Sequence, residues 1–168
     1  MMKTVSRFGA LFAAALTFAP LAAHAQPDID ATFARRAARG GIAEVRQAQA
    51  ARVRSRNPEI VRFAERMTTD HSQANARLTQ IMREEGRPIV TDEGGRNNAA
   101  LAHLQTLHGR DFDRAYIDLQ AREHSQMIGL FEDEINNGHD PRLQRYARRV
   151  LPVIQEHLRM AQRISSMM

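Results

Sequence analysis

Residues 57–85 read NPEIVRFAERMTTDHSQANARLTQIMREE, and their spacing decides the fold. Ile60, Ala64, Met67, His71, Ala74, Leu78 and Ile81 recur in alternating steps of four and three. Residues three and four apart share one face of a helix, so this is the seam of an antiparallel bundle. Asn57 offers a side-chain oxygen to the first free backbone amides, and Pro58 stands where a missing amide costs nothing. Gly86 and Pro88 stop the helix.

The same step pattern returns twice downstream. Ile117, Ala121, His124, Ile128, Phe131 and Ile135 mark a helix from about Asp111 to Asn136, closed by Asn137-Gly138. Leu143, Ala147, Val150, Ile154, His157, Ala161 and Ile164 mark another, which Asp140-Pro141 opens and Pro152 is expected to bend. Upstream, Asp28 to Arg54 reads as a first helix capped by Asp28 or Asp30, with its apolar centre near Ala38, Ile42 and Val45. No segment alternates with period two, so the fold class is all-α. Short links between the first and second helices, and between the last two, force antiparallel neighbours. The 24 residues 86–109 carry Gly94-Gly95 and a short helical piece around Asn98–Leu107. That stretch is long enough to return along the bundle, as in ferritin-like four-helix bundles with one long crossover.

Before the first helix lies a different kind of segment. Lys3 and Arg7 precede an uncharged apolar run from Phe8 to Ala23, which closes on Ala23-His24-Ala25. This order marks a signal peptide over residues 1–25, cleaved after Ala25, and implies a periplasmic or secreted protein. The run is shorter than the roughly 20 residues a membrane span needs. Residues 26–168 then form one domain. Without the leader, 22 arginines face 19 acids, an excess too small to imply nucleic acid. The chain has no cysteine, which excludes disulfides, thiolate metal sites and thiol catalysis. There is no glycine-rich phosphate loop, no His-Glu-x-x-His and no nucleophile elbow.

Histidine is where chemistry concentrates. His71, His124 and His157 each lie on the core stripe of a different helix. At 1.5 Å per residue each is roughly 20–24 Å from its helix start, so all three sit near mid-bundle. Glu44 on the first helix reaches a comparable height, at the edge of the expected apolar stripe. Three imidazoles and a carboxylate suit one transition-metal ion, Zn, Fe, Mn or Cu, with room for solvent as a further ligand. A hydrogen-bonded polar layer is the alternative. Asp70, Glu123 and Glu156 each precede one of these histidines; they read as partners for the many arginines, with orientation of a neighbouring ring as the other option. Gly40-Gly41 suggests close approach of a neighbouring helix. His103, His108 and His139, in or beside connections, read as surface residues, and Arg35, Arg36, Arg39, Arg142, Arg145, Arg148 and Arg149 as solvated faces.

Several combinations carry a family resemblance: Ala37-Ala38-x-Gly40-Gly41-x-x-Glu44-Val45; Phe63-Ala64-x-x-Met67-x-x-Asp70-His71-x-x-Ala74-Asn75; Gly109-x-x-Phe112-Asp113-x-x-Tyr116; His124; Phe131; and Leu151-Pro152-x-x-x-x-His157-Leu158. With these the chain resembles the exported bacterial proteins of domain of unknown function family 4142. The resemblance implies a ferritin-like four-helix fold and export, but no activity, since the family has none assigned. The usual di-iron carboxylate centre is not expected: Thr68, Ala121 and Ile154 stand three residues before the histidines, where that centre needs glutamate. Two functional expectations follow. One is a metal-binding bundle using His71, His124, His157 and Glu44. The other is a non-enzymatic envelope protein acting through its surface, with the histidines structural.

Overall fold

The structure, a computed structural model, describes residues 28–168; the leader expected over residues 1–25 lies outside them. Five helices follow one another: α1 (Ile29–Arg54), α2 (Pro58–Glu84), α3 (Gly94–Thr106), α4 (Gly109–Asn137) and α5 (Pro141–Ser166). The expected caps are in place. Asp28 accepts from the Ala31 amide, Asn57 from Glu59, and Asp140 from Arg142 and Leu143. Each satisfies amides that have no partner within the helix. Gly86, at φ +64°, takes the left-handed turn that ends α2.

Two helices differ from expectation in their bounds. The short third helix starts at Gly94, four residues before Asn98, and ends at Thr106. Arg46 of α1 anchors its start from outside, donating to the Glu93 carboxylate at 2.6 Å, and Asn97 in its first turn donates back to the Glu93 carbonyl at 2.7 Å. Helix α4 opens at Gly109, before Asp111. Helix α5 runs unbroken through Pro152. The amide lost there would have served the Arg148 carbonyl, and both residues lie on an exposed face open to solvent.

Helix α1 packs on α2 and α4, and α5 closes the square on the same two helices; α3 lies across α1 and α4. Side chains at the ends give the directions. Arg54, last in α1, donates to the carbonyls of Gln105 and Leu107, just before α4. At the other end Asp30 accepts from the amides of His139 and Asp140, in the α4–α5 turn. Helix α4 therefore runs antiparallel to α1, and residues 85–108 travel the length of the molecule.

The apolar core is divided. One cluster includes Phe33, Leu78, Ile81, Phe131, Leu143 and Tyr146. The other includes Ile60, Phe63, Met67, Phe112, Tyr116 and Ile117. Between them lie buried Glu44, Gln47, His71, Gln120, His124 and His157. Gly41 lets α2 approach α1 closely, because a Cβ there would collide with the Asn75 amide.

A second buried acid sits at the Asp30 end. Burial and the Asp30 carboxylate raise the Glu134 carboxyl to about 8, and no donor reaches either of its oxygens among the described residues. The folded chain therefore holds this proton more tightly than the unfolded chain, whose carboxyl titrates near 4.5. Stability from Glu134 is greatest below pH 4.5 and is lost as pH rises toward 8. Glu134→Gln, which keeps a donor for Asp30 without a charge, is expected to melt several degrees above wild type at pH 8 and level with it near pH 4.5. Parallel melting curves across that range would discard the assignment.

Candidate metal centre

The α2, α4 and α5 stripes bring His71, His124 and His157 together as expected. Their ring centroids stand 5.2–5.5 Å apart. One nitrogen from each ring lies within 4.8 Å of the others. His124 and His157 are fully buried and His71 is 7% exposed. Edge-on Phe63 borders His157 on the side of the second apolar cluster.

Each ring is held at one nitrogen. His124 Nδ1 lies 2.9 Å from the Gln120 carbonyl one turn back in α4. Since a carbonyl only accepts, Nδ1 carries the proton. His157 Nε2 lies 2.9 Å from Asp70 Oδ2 of α2. His71 Nδ1 lies 3.0 Å from Glu44 Oε2, an ion-pair contact rather than an aligned hydrogen bond. The opposite nitrogens, Nε2 of His71, Nε2 of His124 and Nδ1 of His157, are buried without a partner among the described residues. Three acceptors hold three rings whose centroids are 5.2–5.5 Å apart, and one nitrogen of each ring is left over.

Two sequence expectations need correction here. Glu44 is not at the edge of the α1 stripe: it is 1% exposed. The buried face of α1 runs through Phe33, Ala37, Gly41, Glu44, Ala48 and Ala51, while Ala38, Ile42 and Val45 are only half-buried. The alanines and glycine on that face carry little hydropathy signal, so the bulkier Ile42 and Val45 mislead. Glu44 also stands at the Nδ1 edges of two rings, 3.0 Å from His71 and 3.6 Å from His124, away from their free nitrogens. The second correction concerns the acids before the histidines. Glu156 is indeed a surface partner of Arg159 and Arg163. Asp70 also pairs with Arg66, but it orients the ring of His157 on another helix. Glu123 is half-buried, and burial plus the Glu44 charge raise its carboxyl to about 7.

Electrostatics divide the three rings. Burial alone would raise the Glu44 carboxyl; the adjoining His71 and His124 outweigh it and hold the group down at about 2. Burial alone would likewise lower His71, and the Glu44 carboxylate reverses that. His71 and Glu44 therefore form a buried ion pair. Burial lowers His124 to about 4, against the pull of Glu44, and burial with the neighbouring His71 lowers His157. Burial and charge thus favour protonation at His71 and the neutral form at His124 and His157.

Sequence reasoning missed the amides beside the rings. Gln120 donates to Gln47 at 2.6 Å, both fully buried. Gln47 is three residues after Glu44 and Gln120 four before His124, so polar residues on a buried period were the available signal. A cavity of about 260 Å³ between α1, the start of α3 and α4 is lined by Glu44, Glu123, Arg39, Arg96 and Met127, and so reaches the edge of the layer. His103, His108 and His139 are exposed, as expected.

The model of the domain of unknown function family DUF4142 matches residues 16–164. The chain belongs to that family. No curated protein matches this DUF4142 chain in sequence. Among solved structures it is similar to a DUF305 fragment from Deinococcus radiodurans, with TM-score 0.75 and 14% identity over 85% of this chain and 98% of that one. It is also similar to a putative secreted DUF305 protein from Streptomyces coelicolor, with TM-score 0.69 and 18% identity over 80% and 88%. At such identities the likeness shows a shared helical fold and nothing of activity.

Proposed function

We propose that this DUF4142 protein is an exported, ferritin-like four-helix bundle with one long crossover, holding a single transition-metal ion on His71, His124 and His157. The observation that carries this reading is the set of three buried, unpartnered ring nitrogens. Leaving them bare would cost about 1–3 kcal/mol for each unsatisfied buried atom, a cost that a shared ion removes at all three together. Three nitrogens on one ion at about 2.1 Å each stand about 3.4–3.6 Å from one another. From the 4.8 Å or less seen here, each has up to about 0.7 Å to move toward a common centre. Ligating histidines characteristically offer their other nitrogen to a carboxylate or carbonyl, the role assigned here to Glu44, Asp70 and the Gln120 carbonyl.

Three imidazoles suit Zn, Cu and Fe, and the order of divalent affinities places Cu(II) first. Glu44 serves as orienting group and counter-charge, with a fourth position left to solvent. Export rests on the Lys3-to-Ala25 leader pattern.

The His71–Glu44 ion pair supplies a test. A ligating imidazole must give up one ring proton, so Zn(II) binding near pH 6.5 is expected to release about one proton per ion, with Glu44 retaining the Nδ1 hydrogen. Calorimetry in buffers of different ionisation enthalpy measures it. Binding with no proton release at that pH would contradict the assignment of His71.

A further inference from the structure

A furrow of about 470 Å³ runs between α2 and α5, on a different side of the bundle from the α1–α3–α4 cavity. On α2 it extends from Asp70 to Glu84, about 21 Å at 1.5 Å per residue. Its floor is apolar, built from Ala74, Ile81, Tyr146, Val150 and Val153. Arginines stand on both rims: Arg77 on α2, and Arg145 and Arg149 on α5.

Among the described residues no carboxylate pairs with these three guanidinium groups. Arg77 donates to the neutral Gln80. Among the described residues no carboxylate lies within ion-pair distance of Arg145 or Arg149, whereas Arg142 at the furrow's end is paired with Glu84. The two acids of the furrow are already engaged, Asp70 by Arg66 and His157, Glu84 by Arg142 and Gln80. Net positive charge therefore flanks an elongated apolar floor. Polar anions would leave that floor wet, and neutral apolar chains would leave the charges unanswered. A carboxylate matches the planar guanidinium fork, and an alkyl chain gains about 25 cal/mol for each Å² of apolar surface removed from water. The volume falls in the range of small-molecule pockets rather than of macromolecular interfaces.

We propose that this furrow binds a medium-chain carboxylate of the fatty-acid class, its head between Arg77, Arg145 and Arg149 and its chain along Val150 and Val153. The proposal is independent of the metal reading and is tested on metal-free protein. Calorimetric titration with decanoate below its micellar range is expected to show saturable binding of one molecule per chain. Arg145→Gln/Arg149→Gln is expected to weaken it at least tenfold, while Arg35→Gln/Arg36→Gln, the same change of net charge on exposed α1 positions, leaves it unchanged. Acetate, a head without a chain, and decyl glucoside, a chain without a charge, are each expected to bind at least tenfold more weakly. Methyl resonances of Val150 and Val153 are expected to shift in wild type, which localises the ligand even if a variant is perturbed. Absent binding, equal weakening in both double variants, equal binding of decyl glucoside, or shifts confined to other methyls would each overturn the proposal.

Discussion

His124→Ala is expected to lower affinity for Zn(II) or Cu(II) by more than about 100-fold, since removing a direct ligand exceeds the 10–100-fold cost of losing an orienting group. His124 is the least replaceable member of the set. It is fully buried, its Nδ1 hydrogen is committed to the Gln120 carbonyl, and its Nε2 is free. Asp70→Asn should fall between, about 10–100-fold, because an amide can still hold the His157 ring but supplies no charge. His103→Ala should change nothing, since His103 is exposed on α3. Competition against a chromophoric chelator reads all three, and equal affinities across the series would remove the histidines from the site.

The second large effect concerns folding. Phe33→Ala is expected to cost about 3–5 kcal/mol and to lower Tm by roughly 10–15 °C. Phe33 is 1% exposed and sits edge-on to Phe131 at 4.9 Å and to Tyr146 at 6.1 Å. Because the histidine layer interrupts the core, the cluster around Phe33 must support its end of the bundle without continuous apolar packing to the other. Truncation there removes a large share of a total that is typically only 5–15 kcal/mol. Val53→Ala, at an 86% exposed position, serves as the control and should melt like wild type. Chemical denaturation measures both, and a loss below about 1 kcal/mol for Phe33→Ala would mean that this cluster does not carry the stability assigned to it.

How legible these features were depends on what each residue contributes to a pattern. The α2 stripe is marked by large apolar residues at regular steps, so His71 stands out as a polar interruption of a known face. The same holds for His157 in α5, and the proline-opened helices were readable from Asn57-Pro58 and Asp140-Pro141. Helix α1 resisted because its buried face is mostly alanine and glycine, residues that mark close helix approach but give little hydrophobic contrast. Glu44 was therefore found by height but misplaced in angle. Asp70 could be read only as far as its two options, an arginine partner or a ring orienter, and it serves as both. Its neighbour in sequence points about 100° away, so its partner lies on α5, 87 positions later, a contact that no local spacing encodes. The Gln120 carbonyl is backbone, invisible to any reading of side chains.

Metal content of the purified protein, made without a histidine tag, exposed to Zn(II) and Cu(II) and then dialysed, tests the central claim most directly. The expected result is one ion retained per chain, accompanied by a raised Tm, and no retained ion in the His71→Ala/His124→Ala/His157→Ala variant. A wild-type chain that emerges metal-free, its melting unchanged by either ion, would contradict the account.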